Sequence, residues 1–179
     1  MYKQPVDDEI ALCLPDRRYS PALWQIVQVD FEYLSEWLEW PRLVKSESDL
    51  DKFIESSLAK IATGSAMANI IEYKGEVAGV AGFNSIENDL KRVEIGYWLA
   101  SRFQRQGIMT RVCKHLIDYA FNELLIDKVH ISVAEDNAPS RQLCKRLGMY
   151  EEGRITNEER VGDRILNHVI YGLHKNAIS

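Results

Sequence analysis

The stretch from Glu94 to Thr110 constrains this chain more than any other. It reads Glu94-Ile95-Gly96-Tyr97-Trp98-Leu99 and, past a short gap, Gln104-Arg105-Gln106-Gly107-Ile108-Met109-Thr110. The first half is an apolar and aromatic run of the kind that makes a buried strand. Ala100 to Gln106 has no hydrophobic period. From Gly107 onward apolar residues return at Ile108, Val112, Leu116, Ala120 and Leu124, the four-residue repeat of a helix face. A strand therefore feeds a polar loop that opens a helix. The first turn of such a helix has four backbone N–H groups without an internal partner, and the macrodipole adds about half a positive charge there. Phosphate binds well in that position.

Charge sharpens this expectation. The chain is acidic, with a formal net charge of -5, yet the window between Glu94 and Asp118 holds Arg102, Arg105, Arg111 and Lys114 and no carboxylate. Helices favour acids in the first turn, so bases around a helix start point to an anion arriving from outside. A merely solvated basic face is the competing reading. Gly107 favours the anion, because glycine lets a ligand approach the backbone closely.

With 179 residues and 46% hydrophobic composition, the sequence fits one globular domain spanning 1–179. An acidic chain with one local basic cluster argues against general nucleic-acid or membrane-surface binding. Cys13, Cys113 and Cys144 have neither metal-ligand spacing nor a disulfide framework, which reads as a reducing cytoplasm, with Cys113 in the core. No basic-then-apolar leader and no run of 18 apolar residues occurs, so neither export nor membrane insertion is expected. The four histidines, His115, His130, His168 and His174, lack metal spacing, and none is read as catalytic or as a ligand.

Along the chain, Ile10 to Leu14 reads as the first strand. Ser20-Pro21 predicts a helix start with Ser20 as cap, followed by Leu23, Trp24, Val27, Phe31 and Leu34 at helical spacing and running to about Leu38, where Pro41 stops it. Ser46 or Ser48 caps a second helix that ends at Gly64. Strands are expected over Ala66 to Tyr73 and Val77 to Ile86, joined by a hairpin turn at Lys74-Gly75-Glu76, and over Lys91 to Leu99. Lys128 to Ala134 is a further strand, Asp136-Asn137 opens a short helix through Leu147, and Tyr150 to Thr156 and Ile165 to Leu173 close the chain around Val161-Gly162. A helix connects Leu99 to Val129, so a mixed sheet is expected.

Three motifs carry a family resemblance. Glu-Ile-Gly-Tyr-Trp-Leu followed by Gln-x-x-Gly-x resembles the acetyl-coenzyme A loop of the GNAT superfamily of N-acetyltransferases, in its branch that acetylates N-terminal amines of ribosomal proteins. Asn137-Ala138-Pro139-Ser140, with Leu143, Leu147-Gly148-Met149 and Glu151-Glu152-Gly153, resembles that branch's later coenzyme-contacting helix and strand. Gly162-Asp163-Arg164 through His168-Val169-Ile170-Tyr171-Gly172-Leu173 resembles its closing strand. The resemblance implies an α/β (α+β mixed) single domain built on a mostly antiparallel twisted sheet flanked by helices. It implies acetyl-coenzyme A as cosubstrate, no metal, a protein N-terminus as the acceptor amine, and a homodimer.

Residue by residue, the resemblance places Gln104, Arg105, Gln106, Gly107, Ile108, Met109 and Thr110 on the coenzyme phosphates. Trp98, Leu99 and Asn137 fall on its pantetheine arm, and Trp37 in the acceptor groove. Ser140 becomes the proton donor to the leaving thiolate, and Glu158 the base, with Glu94 and Glu159 as competitors for that role. Two departures stand in the loop: the family often has glycine at Arg105 and glycine or alanine at Met109. A third is Cys144, where many members carry a tyrosine that protonates the thiolate.

The chemistry asks little of a base. An α-amino group titrates near ~7.7–8.0 and lysine near ~10.4, so at pH 7 roughly one N-terminus in ten is neutral but fewer than one lysine in a thousand. A carboxylate acting through water suffices for the first class. An oxyanion donor, worth on the order of 3 kcal/mol, falls by resemblance to the backbone around Trp98 and Leu99. Two rivals remain: a small-molecule amine such as a polyamine or an antibiotic as acceptor, and a non-catalytic sensor that holds acyl-coenzyme A.

Overall fold

A computed structural model describes residues 3–177. Two short strands, β1 (Lys3–Pro5) and β2 (Ile10–Cys13), lead into a helical layer of α1 (Ser20–Val29), α2 (Phe31–Ser35), α3 (Trp40–Leu43) and α4 (Glu47–Ala62). A meander follows: β3 (Met67–Tyr73), β4 (Glu76–Glu87) and β5 (Arg92–Leu99). Then come α5 (Ile108–Asn122), β6 (Lys128–Ala134), α6 (Ala138–Arg146), β7 (Tyr150–Val161) and β8 (Arg164–His174). The eight strands form one sheet in the order β1-β2-β3-β4-β5-β6-β8-β7. Every pairing is antiparallel except β5 with β6.

That single parallel pairing is the feature that makes room for a site. It covers only Arg92 to Glu94 against Lys128 to His130. Beyond it β5 continues to Leu99 paired to β4 alone, while β6 continues to Ala134 paired to β8 alone. The two strands diverge, and the β6-facing backbone edge of Gly96 to Leu99 is left without a ladder partner. Buried amides left so need another partner.

The core lies between the sheet and α5, whose residues Ile108, Val112, Cys113, Leu116, Ile117, Ala120 and Phe121 are all buried, as the four-residue repeat predicts. Lys74-Gly75 makes the β3–β4 turn with φ of 51° and 82°, the positive pair that a two-residue hairpin of primed type needs. Ser46 and Asp49 form the α4 capping box, with Asp49 accepting from the Ser46 N–H at 3.1 Å.

The long first helix is corrected. It breaks at Asp30, whose φ of -103° and ψ of 18° leave the helical region. The cause lies far along the chain: the buried Asp30 carboxylate accepts from Ser101 N–H at 2.7 Å and Ser101 Oγ at 2.6 Å. Ser20 is not a cap either, since it stands inside the helix with its hydroxyl donating to Asp51 at 2.6 Å. Pro41 lies inside α3 at its start, rather than simply ending the first helix. The last strand pair is longer than expected, because β7 runs on past Thr156 to Val161 through an irregularity between Ile155 and Glu159.

Candidate active site

The divergence of β5 and β6 opens a cavity of about 1270 Å³. Its walls are Gly96 to Leu99 of β5, Ile131 to Ala134 of β6, the loop and first turn of α5, the first turn of α6, the α2–α3 region, and Glu158, Glu159 and His168 of the last two strands. The residues expected at the site mostly meet there. Trp37, Trp98, Leu99, Gln104, Arg105, Gly107, Ile108, Met109, Thr110, Asn137, Ser140 and Glu158 all line it. Gln106 does not, because its amide turns back to donate to the Arg102 carbonyl at 3.1 Å.

At the loop end, Gly107 is the N-cap of α5 with φ of 72°, and the first helical hydrogen bond comes from Arg111 N–H. The N–H groups of Ile108, Met109 and Thr110 therefore have no helical acceptor and carry the positive end of the dipole. Arg105 has φ of 58°, a region glycine enters freely and other residues enter at about 1 kcal/mol or more. That conformation suits the glycine that the resemblance leads one to expect at this position. The basic cluster is only partly available to a ligand. Arg111 is held by Asp7 and Glu9, each at 2.9 Å, and Arg102 pairs with Glu76 at 3.1 Å. Among the described residues Arg105 has no such partner, and neither does Arg146, a cation of the last turn of α6 that lines the cavity and that the sequence reading missed.

At the centre, the Asn137 side chain caps α6, accepting from Ser140 N–H at 3.2 Å. Ser140 Oγ in turn shares a hydrogen bond with the Tyr97 hydroxyl. Burial pushes the Tyr97 phenol far above its ordinary value, a shift that the Ser140 bond opposes. The phenol thus stays protonated and can resupply a hydroxyl that gives its proton away. Tyr97 was quoted in the strand motif but read only as a buried residue; its aromatic ring in an apolar run gave no sign of the hydroxyl's partner. Cys144 is removed from this chemistry. It lies on the buried face of α6, packed in the core and not on the cavity wall, and burial raises its thiol to about 12.

At the far end, Trp37 packs on Ala134, Val161 and Leu166, with the Arg164 guanidinium 5.4 Å from its ring centre. Trp40 leans on Trp98, ring centres 5.4 Å apart. Consecutive strand residues point to opposite faces, so Glu158 and Glu159 reach one cavity only because the irregularity in β7, with Asn157 at φ of 54°, re-aims them. Glu158 is exposed, while Glu159 lies 3.1 Å from His168 Nε2. Glu94 is occupied: His130 Nε2 stands at 3.3 Å and Asn84 donates to it at 3.1 Å. The hydrogen bond from His130 draws its carboxyl below the ordinary range, against an opposing effect of burial. Gly96 gives Asn84 its place, since a Cβ there would stand 2.2 Å from the Asn84 amide. Among the described residues no group of three His, Cys, Asp or Glu is gathered to hold a metal. No helix among them is long and apolar enough to cross a membrane.

An unpaired strand edge, a helix N-terminus beside it and a hydroxyl pair between them define a protein that holds an extended, phosphate-bearing ligand against a second substrate. Residues 16–150 match the model of the acetyltransferase (GNAT) domain. The ribosomal-protein-serine acetyltransferase of Escherichia coli (strain K12) is 30% identical over 158 residues, covering 88% of each chain. Among solved structures, the ribosomal L7/L12 alpha-N-protein acetyltransferase RimL in complex with coenzyme A superposes with a TM-score of 0.93 at 29% identity, covering 98% of this chain and 99% of that one. The microcin C7 self immunity acetyltransferase MccE, in complex with acetyl-CoA and AMP, gives 0.89 at 29% identity over 94% of each. The chain belongs to the GNAT acetyltransferase family.

Proposed function

We propose that this acetyltransferase takes acetyl-coenzyme A as cosubstrate and transfers the acetyl group to the N-terminal α-amine of a protein, a ribosomal protein being the first candidate. The observation that carries the reading is the unpaired edge of β5 opening directly onto the α5 N-terminus. Gly96 to Leu99 offers strand-like pairing to the two amides of a pantetheine arm, and the N–H groups of Ile108, Met109 and Thr110, with Arg105, face the pyrophosphate. Similarity to the Escherichia coli enzyme and to RimL supports the choice of acceptor.

The mechanism follows from the cavity. The amine attacks the thioester carbonyl, whose oxygen takes a hydrogen bond from the β5 backbone near Trp98 and Leu99. Ser140, backed by Tyr97, protonates the departing sulfur. Glu158, on the opposite wall, attracts the incoming ammonium and accepts its proton through a water. An N-terminal amine suits this weak carboxylate base far better than a lysine does. We place the enzyme in the cytoplasm, where its three buried free cysteines stay reduced, and expect a homodimer.

The test is a thiol-release assay in the presence of acetyl-coenzyme A across peptides with different N-terminal residues, lysine peptides blocked at the N-terminus, polyamines and antibiotic amines. Turnover on free N-termini alone is the expected result. Turnover confined to polyamines or antibiotic amines would replace the acceptor. Coenzyme binding with no turnover on any amine would leave a sensor.

A further inference from the structure

Behind the acceptor end of the cavity, a row of polar side chains crosses the sheet from β5 to β7. Glu94 meets His130, and Ser132 meets His168, which meets Glu159. The Ser132 Oγ lies 2.7 Å from His168 Nδ1. Glu159 Oε2 lies 3.1 Å from His168 Nε2, but the geometry does not align a hydrogen bond, and Nε2 is a buried polar atom without one. His168 is only 9% exposed, and it lines the cavity. Buried polar atoms are ordinarily hydrogen-bonded, so a buried imidazole nitrogen without a hydrogen bond, on a residue that lines the cavity, asks for a reason. A second cavity of about 240 Å³ adjoins the first, and Glu94, Ser132 and Glu158 line both.

The chemistry of the proposed reaction supplies the reason. A carboxylic acid titrates near ~4.3 and an α-ammonium near ~7.7–8.0, so a proton passed from an amine to a carboxylate returns unless a better acceptor draws it on. Imidazole is the side chain whose ordinary titration lies near neutrality, where a relay works best.

We propose that His168 is the proton relay of the acceptor side: its Nε2 receives, by way of Glu158 or a water beside it, the proton shed by the attacking amine, and later releases it to solvent. This rests on the reading of the main cavity as the site of amine acetylation. As the N–C bond forms and the C–S bond breaks, one amine proton goes to Nε2, the sulfur leaves with a proton from Ser140, Ser140 recovers one from the Tyr97 hydroxyl, and Tyr97 recovers one from water. The relay needs Nδ1–H to donate to Ser132 Oγ, which leaves the Nε2 lone pair open. Glu159 then balances the imidazolium. The groups that face the ring are Glu159 from β7, Ser132 from β6 and Glu94 from β5, with Glu158 on the same cavity wall and His130 paired to Glu94. His168 acts through Glu158 or water rather than on the substrate, so it is a positioning and relay group.

The test compares the wild-type enzyme with His168→Gln, measuring kcat and KM for an N-terminal peptide from pH 6 to pH 10, with acetyl-coenzyme A affinity by calorimetry and melting temperature as controls. The expected result is a kcat about 100-fold lower at pH 7, unchanged coenzyme affinity, and a deficit that shrinks roughly 5- to 10-fold by pH 9 as the α-ammonium deprotonates unaided. A kcat within about threefold of wild type, or a deficit constant across the pH range, overturns the relay. Should His168→Gln fail to bind coenzyme, Ser132→Ala carries the test: a smaller loss with the same pH trend supports the relay, and no loss or a flat one overturns it. A wild-type enzyme that binds coenzyme yet acetylates no amine overturns the functional reading itself, and the relay with it.

Discussion

The two ends of the cavity are built differently. The end proposed for the coenzyme is almost one contiguous segment: β5 delivers the chain to the loop, the loop to α5, and Asn137 and Ser140 add one short helix. The acceptor end is gathered from Trp37, Asn84, Glu158 and His168, brought together only by the completed sheet. A contiguous site depends on local backbone geometry, whereas a gathered one depends on long-range packing. The first end should therefore break cleanly when one position changes, and the second should respond in several weaker ways.

The largest effect falls on Gly107. A Cβ there meets no protein atom within 4 Å, so Gly107→Asp leaves the fold room while setting a negative charge against the phosphates. Acetyl-coenzyme A affinity, measured by calorimetry, should fall at least ~1000-fold (about 4 kcal/mol), while stability falls by only about 1 kcal/mol, the cost of placing a non-glycine residue at φ of 72°. Intact binding would move the phosphate site elsewhere.

Next is Ser140→Ala, for which kcat should drop about 100-fold while coenzyme affinity holds. Tyr97→Phe should reproduce the direction of that loss at smaller size, because the phenol touches the reaction only through Ser140. An unchanged kcat in the serine variant would remove Ser140 from the mechanism.

Between the two ends stands Asp30, which ties the break between α1 and α2 to Ser101 in the coenzyme loop. Asp30→Asn weakens two buried hydrogen bonds to a charged group and should lower stability in urea by about 2 kcal/mol. Its diagnostic consequence is a rise in both KM values, since one tie serves both ends. A change confined to one substrate would show the ends to be independent.

The smallest effect concerns pH. Glu94 has a folded pKa below its ordinary value, chiefly through His130, so it contributes stability above about pH 4.3, and this contribution fades as pH falls through the folded value. Glu94→Gln should therefore be less stable than wild type at pH 7 and approach it at pH 3. Urea midpoints across that range check it, and a gap that widens in acid would reverse the assignment.

The same contrast decides what could be read from the sequence. The α5 face, the Gly107 start, the Lys74-Gly75 turn and the Asn137 cap are local, and each was legible. The break at Asp30 was not, because its carboxylate is drawn by a residue 71 positions away. The hydroxyl of Ser20 went to Asp51 for a similar reason. The outer half of β7 escaped because Asn157 to Arg160 is an unbroken polar run, which shows no apolar alternation. His168 looked scattered in the sequence because Ser132 and Glu159 become its neighbours only when three strands meet.

The strand order also carries a timetable. The position beside β6 is filled not by the next strand made, β7, but by β8, which ends at His174. Until that last strand has left the ribosome, β6 holds only three residues of β5 on one side and nothing on the other. An emerging chain thus has an open edge in the middle of its future sheet, a state prone to wrong pairings. An enzyme read as a modifier of ribosomal proteins would itself become competent only once β8 has emerged.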